Sequence, residues 1–162
     1  MYGSYLIDSY AWNTICRKIE DSGKSITNSS SWGNYYNNTT TNYENINTLY
    51  AVHAYDNSKV LASTYSKKNI PTSIIPRGNG NNRLELSTGS SQDFKAFNVY
   101  DLAGNMWEYT TEIGTYSSSE YVSLRGGSFY WPGTDKAVTC VASDSTDLTD
   151  ESVGFRAVLY LK

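Results

Sequence analysis

The sequence is short of charged residues and of long apolar runs, and each shortage excludes a class of protein. Charged side chains make up 18% of the 162 residues, and the formal net charge is −3, which argues against a broad surface for nucleic acid or anionic membranes. No apolar run reaches the length of a transmembrane helix, and residues 1–4 lack the features of a signal peptide. We expect one domain, 1–162, that is either intracellular when made or cut from a longer chain.

Cysteine and histidine are also scarce. Cys16 and Cys140 form neither a CxxC pair nor a zinc pattern. Cys16 falls on an apolar helical stripe and is expected to be a buried thiol that packs as a small hydrophobe. A disulfide between the two cysteines has no support from their spacing. The one histidine, His53, has no neighbouring metal-ligand pattern, and we give it no role.

The chain is instead rich in Asn, Ser and Thr, with 15 Tyr and 4 Trp. This composition favours strands, turns and ordered loops over exposed helices. One helix is clear, because Trp12, Ile15, Cys16 and Ile19 follow the spacing of one helical face and Asp8 can cap it.

The remaining signals along the chain are weaker. Residues 27–47 predict a long loop that packs down around Trp32, and residues 49–60 could form a second helix or a strand. An acidic loop is predicted at 143–151. The short segments that predict strands are 99–100, 107–109, 122–129, 137–142 and 153–161.

Three motifs stand in order in the last third of the chain: FNVYDLAGNMWEYTTE (97–112), SLRGGSFYW (123–131) and VGFRAVLYLK (153–162). Together they resemble the core signature of the formylglycine-generating-enzyme family, in which Gly-Asn-x-Trp-Glu, Arg-Gly-Gly-Ser-aromatic and Gly-Phe-Arg follow each other at this kind of spacing. The resemblance implies an α+β, C-type-lectin-like fold with a small twisted antiparallel sheet, two helices and extensive ordered loops.

In that family, the loop that corresponds to Asp101–Glu108 holds a calcium ion. Carried over position by position, the resemblance implies ligands from the side chains of Asp101 and Glu108 and from the backbone carbonyls of Gly104 and Met106. Such oxygen ligands suit calcium.

The alternative to calcium involves the two arginines of the motifs, Arg125 and Arg156. Both lie close to apolar strand residues and are expected to make bidentate hydrogen bonds inside the fold. Glu108 would then pair with one of them, and no metal would be present.

The sequence departs from the enzymes at the residues that carry their chemistry. The family's oxidation of cysteine to formylglycine rests on two cysteines shortly after the Arg-Gly-Gly-Ser motif, which bind copper. Trp131 and Lys136 stand at those positions here. Because one thiol cannot make the dithiolate that Cu(I) favours, we expect no copper and no enzymatic activity.

The resemblance then extends to non-enzymatic relatives, in particular the variable proteins of diversity-generating retroelements. In those proteins the diversified segment lies between Arg-Gly-Gly and Gly-Phe-Arg. Tyrosine with small polar residues is typical of adaptable binding surfaces. The candidate ligand-binding residues are Tyr130, Trp131, Asp135, Ser143, Asp144, Ser145, Thr146 and Asp147.

The sequence therefore predicts a non-catalytic domain that binds a protein or glycan ligand on a cell surface. We expect it on a phage particle or a bacterial surface, with no nucleic-acid partner and no membrane insertion. Two alternatives remain: an oxidase with a rearranged site, and an architectural domain that caps a larger surface protein.

Overall fold

The computed structural model describes residues 3–43, 46, 51–56, 59–65, 83–116, 119–145 and 150–160. These residues contain one α-helix, α1 (Ser9–Asp21). The strands are β1 (Gly3–Leu6), β2 (Ala51–Asp56), β3 (Lys59–Tyr65), β4 (Arg83–Leu86), β5 (Lys95–Ala96), β6 (Val99–Tyr100), β7 (Trp107–Tyr116), β8 (Ser119–Arg125), β9 (Val141–Ser145), β10 (Val153–Phe155) and β11 (Ala157–Tyr160). No helix in this described part of the chain has the length and apolar character needed to span a membrane.

The largest sheet has four strands in the order β10-β7-β8-β9. β8 pairs antiparallel with both β7 and β9, whereas β10 runs parallel to β7, so the sheet is mixed rather than wholly antiparallel as predicted. β2 lies between β3 and β4 in a second, antiparallel sheet, and two further pairs join β1 with β11 and β5 with β6. The result is a small α+β fold with curled sheets and long connecting loops.

Helix α1 begins where the sequence predicts. The Asp8 side chain accepts a hydrogen bond from the backbone N–H of Ala11 at 2.7 Å and so caps the first turn. The helix ends at Asp21, and Gly23 follows with a φ of 87°, a left-handed conformation that glycine adopts without strain. Its apolar face, with Trp12 and Cys16, is buried.

Trp12 belongs to the main hydrophobic cluster and is fully buried. Its indole N–H donates to the carbonyl of Val138 at 2.9 Å, which satisfies the ring's polar atom. Trp32 and Tyr35, from the polar loop after the helix, belong to the same cluster. The loop is therefore packed down around Trp32, as predicted.

Two buried asparagines, Asn34 and Asn105, join separate segments of the fold. The side-chain amide of Asn105 pairs with the backbone of Leu86, accepting from its N–H at 3.0 Å and donating to its carbonyl at 2.9 Å. The Asn34 amide donates to Oδ1 of Asn105 at 2.9 Å and to the Leu84 carbonyl at 2.9 Å. Its own Oδ1 accepts from the Tyr43 hydroxyl at 3.1 Å. These side-chain hydrogen bonds join the N-terminal loop, β4 and the turn before β7, as the backbone hydrogen bonds of a shared β-strand would.

Two of the predicted strands are wrong in their extent. The strand expected at 137–142 begins only at Val141, because Val138 uses its N–H on the Ser29 hydroxyl at 2.9 Å and its carbonyl on Trp12. β8 does not continue beyond Arg125, because Gly126 has a φ of 94° and leaves the extended conformation.

The described residues contain one of the two helices that the resemblance implies, and the second stays a prediction. Residues 51–56, within the ambiguous segment, form β2. Trp107 is buried, with 5% of its surface exposed, but it lies outside the main cluster that forms around Trp12.

The amide pairing predicts the cost of one substitution. Asn105 has a φ of 61°, which glycine tolerates, so Asn105→Gly removes the side chain without straining the backbone. It leaves three buried partners unpaired, at about 1–3 kcal/mol each, so we expect a loss of about 3 kcal/mol or more in the free energy of unfolding.

Urea denaturation measures this loss, with exposed Asn98→Gly as the matched control. An Asn105→Gly variant as stable as that control would contradict the role given to the amide.

Candidate functional site

The three sequence motifs meet just before β7. The N–H of Gly104 donates to the carbonyl of Gly126 at 2.8 Å, and the N–H of Phe129 donates to the carbonyl of Asn105 at 2.9 Å. Gly104 has a φ of 70°, and a Cβ at this position would collide with the backbone of Asn34. The Gly-Asn pair and the Gly-Gly pair are therefore fitted to each other through their backbones.

An ion pair between Glu108 and Arg156 fixes the third motif. Nε of Arg156 donates to Oε2 of Glu108 at 2.7 Å, and Nη2 donates to Oε1 at 2.5 Å. Nη2 also donates to the carbonyl of Tyr100 at 3.0 Å. Burial raises the pKa of Glu108, while the hydrogen bonds and charge of Arg156 act in the opposite direction.

Arg125, the other arginine of the motifs, also forms an ion pair with a glutamate. It lies opposite Glu108 across the β7–β8 pair but directs its guanidinium to Glu112 at 3.1 Å and to the Ser9 hydroxyl at 3.3 Å. Both motif arginines thus make structural contacts inside the fold, and the bidentate geometry expected of each is found at Arg156.

Asp101 is the second carboxylate of the opening motif, and it is 3% exposed. Its Oδ2 accepts from the N–H of Gly89 at 2.7 Å, whereas its Oδ1 has no hydrogen-bond partner among the described residues. Burial raises the pKa of Asp101 from 3.8 to about 6, although the Gly89 hydrogen bond and the Arg156 charge oppose the rise. The ionised carboxylate is poorly solvated here.

These contacts test whether calcium would fit between Asp101 and Glu108. Both oxygens of Glu108 already accept from Arg156, whose positive charge would repel the ion. Among the buried side-chain oxygens of the described residues, only Oδ1 of Asp101 has no hydrogen-bond partner. The residues as placed do not fit a shared calcium ion, and the geometry favours the arginine-paired alternative. The calcium site at Asp101, Gly104, Met106 and Glu108 stays a prediction.

A cleft of about 240 Å³ lies beside these motifs, on one face of the four-stranded sheet. Its apolar lining comes from one residue on each strand of that sheet: Trp107, Leu124, Ala142 and Val153. Trp107 and Leu124 are buried, at 5% and 3% exposure, and so form its floor.

The rim of the cleft is aromatic and charged. Trp131 is 42% exposed, and the Lys136 ammonium lies 5.6 Å from the centre of its ring. Asp144 lies on β9, two residues after Ala142, which pairs with Leu124 of β8. Asp150 opens the turn before β10.

That turn fixes the position of Asp150. Its Oδ1 accepts from both the N–H and the hydroxyl of Ser152 at 2.6 Å. The carbonyl of Ser152 in turn accepts from the N–H of Trp107 at 2.8 Å. The rim is therefore anchored to the first residue of β7.

The comparisons with known proteins agree with the motifs. A family model described as the sulfatase-modifying factor enzyme 1-like domain matches residues 5–161. The chain belongs to this family. No curated protein and no solved structure matches it. The family is linked to enzyme-related function, and its members include the formylglycine-generating enzymes that the sequence resembles.

Of the six predicted ligand-binding residues that the structure describes, two line the cleft and four do not. Trp131 and Asp144 line the cleft. Ser143 and Ser145 were expected in a loop, but they lie on β9, where alternation turns them to the face opposite Asp144. Thr146 and Asp147 lie outside the described residues.

Tyr130 and Asp135 are also absent from the cleft lining. Tyr130 is half-buried, and the guanidinium of Arg83 stacks on its ring at 4.0 Å. Asp135 is exposed and accepts from the Thr134 hydroxyl at 3.0 Å.

Sequence reasoning missed three rim residues: Lys136, Asp150 and Ser152. Lys136 was noted only as the replacement of a cysteine, although a position that holds a copper ligand in the enzymes that the sequence resembles is itself a candidate site position. Asp150 and Ser152 carried a weaker signal, the Asp-x-Ser spacing of a turn in which the side chain caps the backbone.

The buried Asp101 predicts how stability depends on pH. Its pKa in the folded state exceeds its unfolded value, so folding binds a proton and stability falls as the pH rises from about 4 to about 6. Asp101→Asn keeps the acceptor for Gly89 and tolerates the φ of 53°. We expect this variant to be more stable than the wild type at pH 7 by up to about 3 kcal/mol.

The measurement is urea denaturation at pH 4, 5 and 7 in the presence of a chelator. The advantage of the variant should vanish at pH 4, and an advantage that does not change with pH would contradict the account. Added calcium supplies the control: if it raises the melting temperature of the wild type alone, Asp101 is a calcium ligand after all.

Proposed function

We propose that this domain is a non-catalytic ligand-binding module that uses the cleft beside Trp131. One observation carries the proposal: Trp131 and Lys136, which occupy the positions of the family's two copper-binding cysteines, line the same cleft. The place where relatives hold their reacting thiols is occupied here by an aromatic ring and an ammonium group.

The thiols that remain are poorly suited to oxidase chemistry. Cys16 is 3% exposed, and burial raises the pKa of its thiol to about 11, so it is not the thiolate that binds a metal. Both cysteines are free, and Cys140 is absent from the cleft lining. An oxidase with a rearranged site would need a second thiolate ligand beside Cys140.

The cleft residues have the character of a binding surface. Trp131 is exposed, whereas its neighbour Tyr130 is half-buried. The centres of the two rings lie 6.0 Å apart, so Tyr130 packs against one side of Trp131. Large aromatics in such positions carry much of the energy of binding interfaces. The charged groups of Lys136, Asp144 and Asp150 can add hydrogen bonds that set specificity.

The setting that we propose is a phage particle or a bacterial surface, where the ligand is a protein or glycan on a cell. The order of the motifs supports a variable protein of a diversity-generating retroelement, because Trp131 and Asp144 fall between Arg-Gly-Gly and Gly-Phe-Arg. A reverse transcriptase gene beside a near-copy of the 3′ coding segment, differing at adenines, would support this origin. A domain that only caps a larger surface protein would lack a ligand.

Binding of fluorescently labelled protein to a panel of bacterial cells tests the proposal. We expect binding to some strains and a loss of at least about tenfold in affinity for Trp131→Ala and Asp144→Ala. The matched control is Ile113→Ala, which removes a side chain that is 65% exposed on the same sheet but outside the cleft.

The melting temperatures of the variants separate lost binding from lost folding. Equal binding by all three folded variants would place the ligand elsewhere. No binding to any strain would favour the architectural role.

A further inference from the structure

The charges around the cleft restrict the kinds of ligand that it can accept. Asp144 and Asp150 contribute two carboxylates, and Lys136 contributes one ammonium group, all on the lining of a single small cleft. Among the described residues, none of these three groups is part of an ion pair. Oδ1 of Asp144 and Oδ1 of Asp150 already accept hydrogen bonds from Ser145 and Ser152, so the carboxylates offer a ligand their second oxygens and Lys136 offers its ammonium group.

This mixture disfavours a ligand that carries a net charge. A cationic group, such as a lysine or arginine side chain of a partner protein, would meet the Lys136 ammonium. An anionic group would meet Asp144 and Asp150. Like charges that face each other in a half-enclosed cleft repel, whereas a neutral hydroxyl can donate to a carboxylate and accept from an ammonium group.

The size and the apolar lining restrict the ligand further. The volume of about 240 Å³ lies below the range of about 300–1,000 Å³ that is usual for sites of drug-sized ligands, so the cleft suits one ring. Trp131, Trp107 and Leu124 offer apolar surface to that ring. A ring that combines an apolar face with hydroxyl groups around its edge fits this lining.

We infer that the cleft binds a single neutral hexopyranose unit of a cell-surface glycan. The inference rests on the proposed function of the cleft and narrows it from a protein or glycan to a neutral sugar. The C–H face of the ring packs on Trp131. The hydroxyls donate to the carboxylates of Asp144 and Asp150 and accept from Lys136, and none of these contacts requires a metal ion.

Saturation-transfer NMR with methyl glycosides tests the inference. The probes are methyl glucoside, methyl mannoside and methyl galactoside, compared with methyl glucuronide and methyl glucosaminide, which keep the glucose ring but carry a negative or a positive charge. We expect at least one neutral glycoside to bind at least about tenfold more tightly than either charged analogue.

Two variants locate the site. Trp131→Ala should lose the saturation-transfer signal, and Asp144→Asn, which keeps the shape of the side chain, should weaken it. Phe155→Ala is the matched control, because it removes another exposed aromatic, 72% exposed, that does not line the cleft. Unchanged binding in Trp131→Ala would overturn the inference.

The remaining outcomes separate the two claims. Preference for a charged analogue would overturn the neutral-sugar class but keep the cleft as the binding site. Binding of no glycoside, combined with cell binding that Trp131→Ala abolishes, would also overturn the sugar and keep the proposed function. If Trp131→Ala changes neither sugar binding nor cell binding, both claims fail.

Discussion

The hydrogen bonding of two buried asparagine amides is the constraint on which the rest of the structure depends. The side chain of Asn105 pairs with both backbone groups of Leu86, as a β-strand residue would. Asn34, in the N-terminal loop, donates a further hydrogen bond to the same side chain. Because buried amides are costly to leave unpaired, this arrangement admits one relative placement of the loop, β4 and the turn before β7. The hydrogen bonds that hold the fold together therefore explain the Gly104-Asn105 pair of the family signature without a catalytic role.

The buried ion pair extends the same constraint to the end of the chain. Arg156 binds Glu108 and the Tyr100 carbonyl, so it ties the final motif to both ends of the opening one. Removal of either partner would leave an uncompensated buried charge. The scaffold is thus specified by internal polar contacts, and the side chains of Trp131, Lys136 and Asp144 on the rim of the cleft take no part in those of Asn34, Asn105 and Arg156. That separation suits a domain whose binding residues can change while its fold is kept.

The sequence predicts those parts of the molecule that rest on local rules or on ordered motifs. Asp8 and the spacing of Trp12 and Cys16 predict the helix correctly, and the motifs predict the structural contacts of Arg125 and Arg156. The family membership follows from the same motifs. Each of these inferences needs only neighbours in sequence or a signature that the chain retains.

The site could not be predicted in the same way, because strand pairing assembles it from distant segments. Asp144 belongs to the cleft and Ser143 does not, since alternation along β9 separates them, and no local signal showed that β9 begins at Val141. Asp150 enters the cleft only because its turn is fixed to the N–H of Trp107 through Ser152. The pairing of Glu108 with Arg156 rather than Arg125 likewise depends on the directions of side chains across the sheet.

The central claim is that binding has taken the place of oxidation in this cleft. The most direct test incubates the domain, with and without added copper, with a cysteine-containing peptide of the sulfatase type and analyses the peptide by mass spectrometry. The account predicts that the cysteine is unchanged in both conditions, because Trp131 and Lys136 supply no thiolate. Formation of formylglycine in either condition would contradict it.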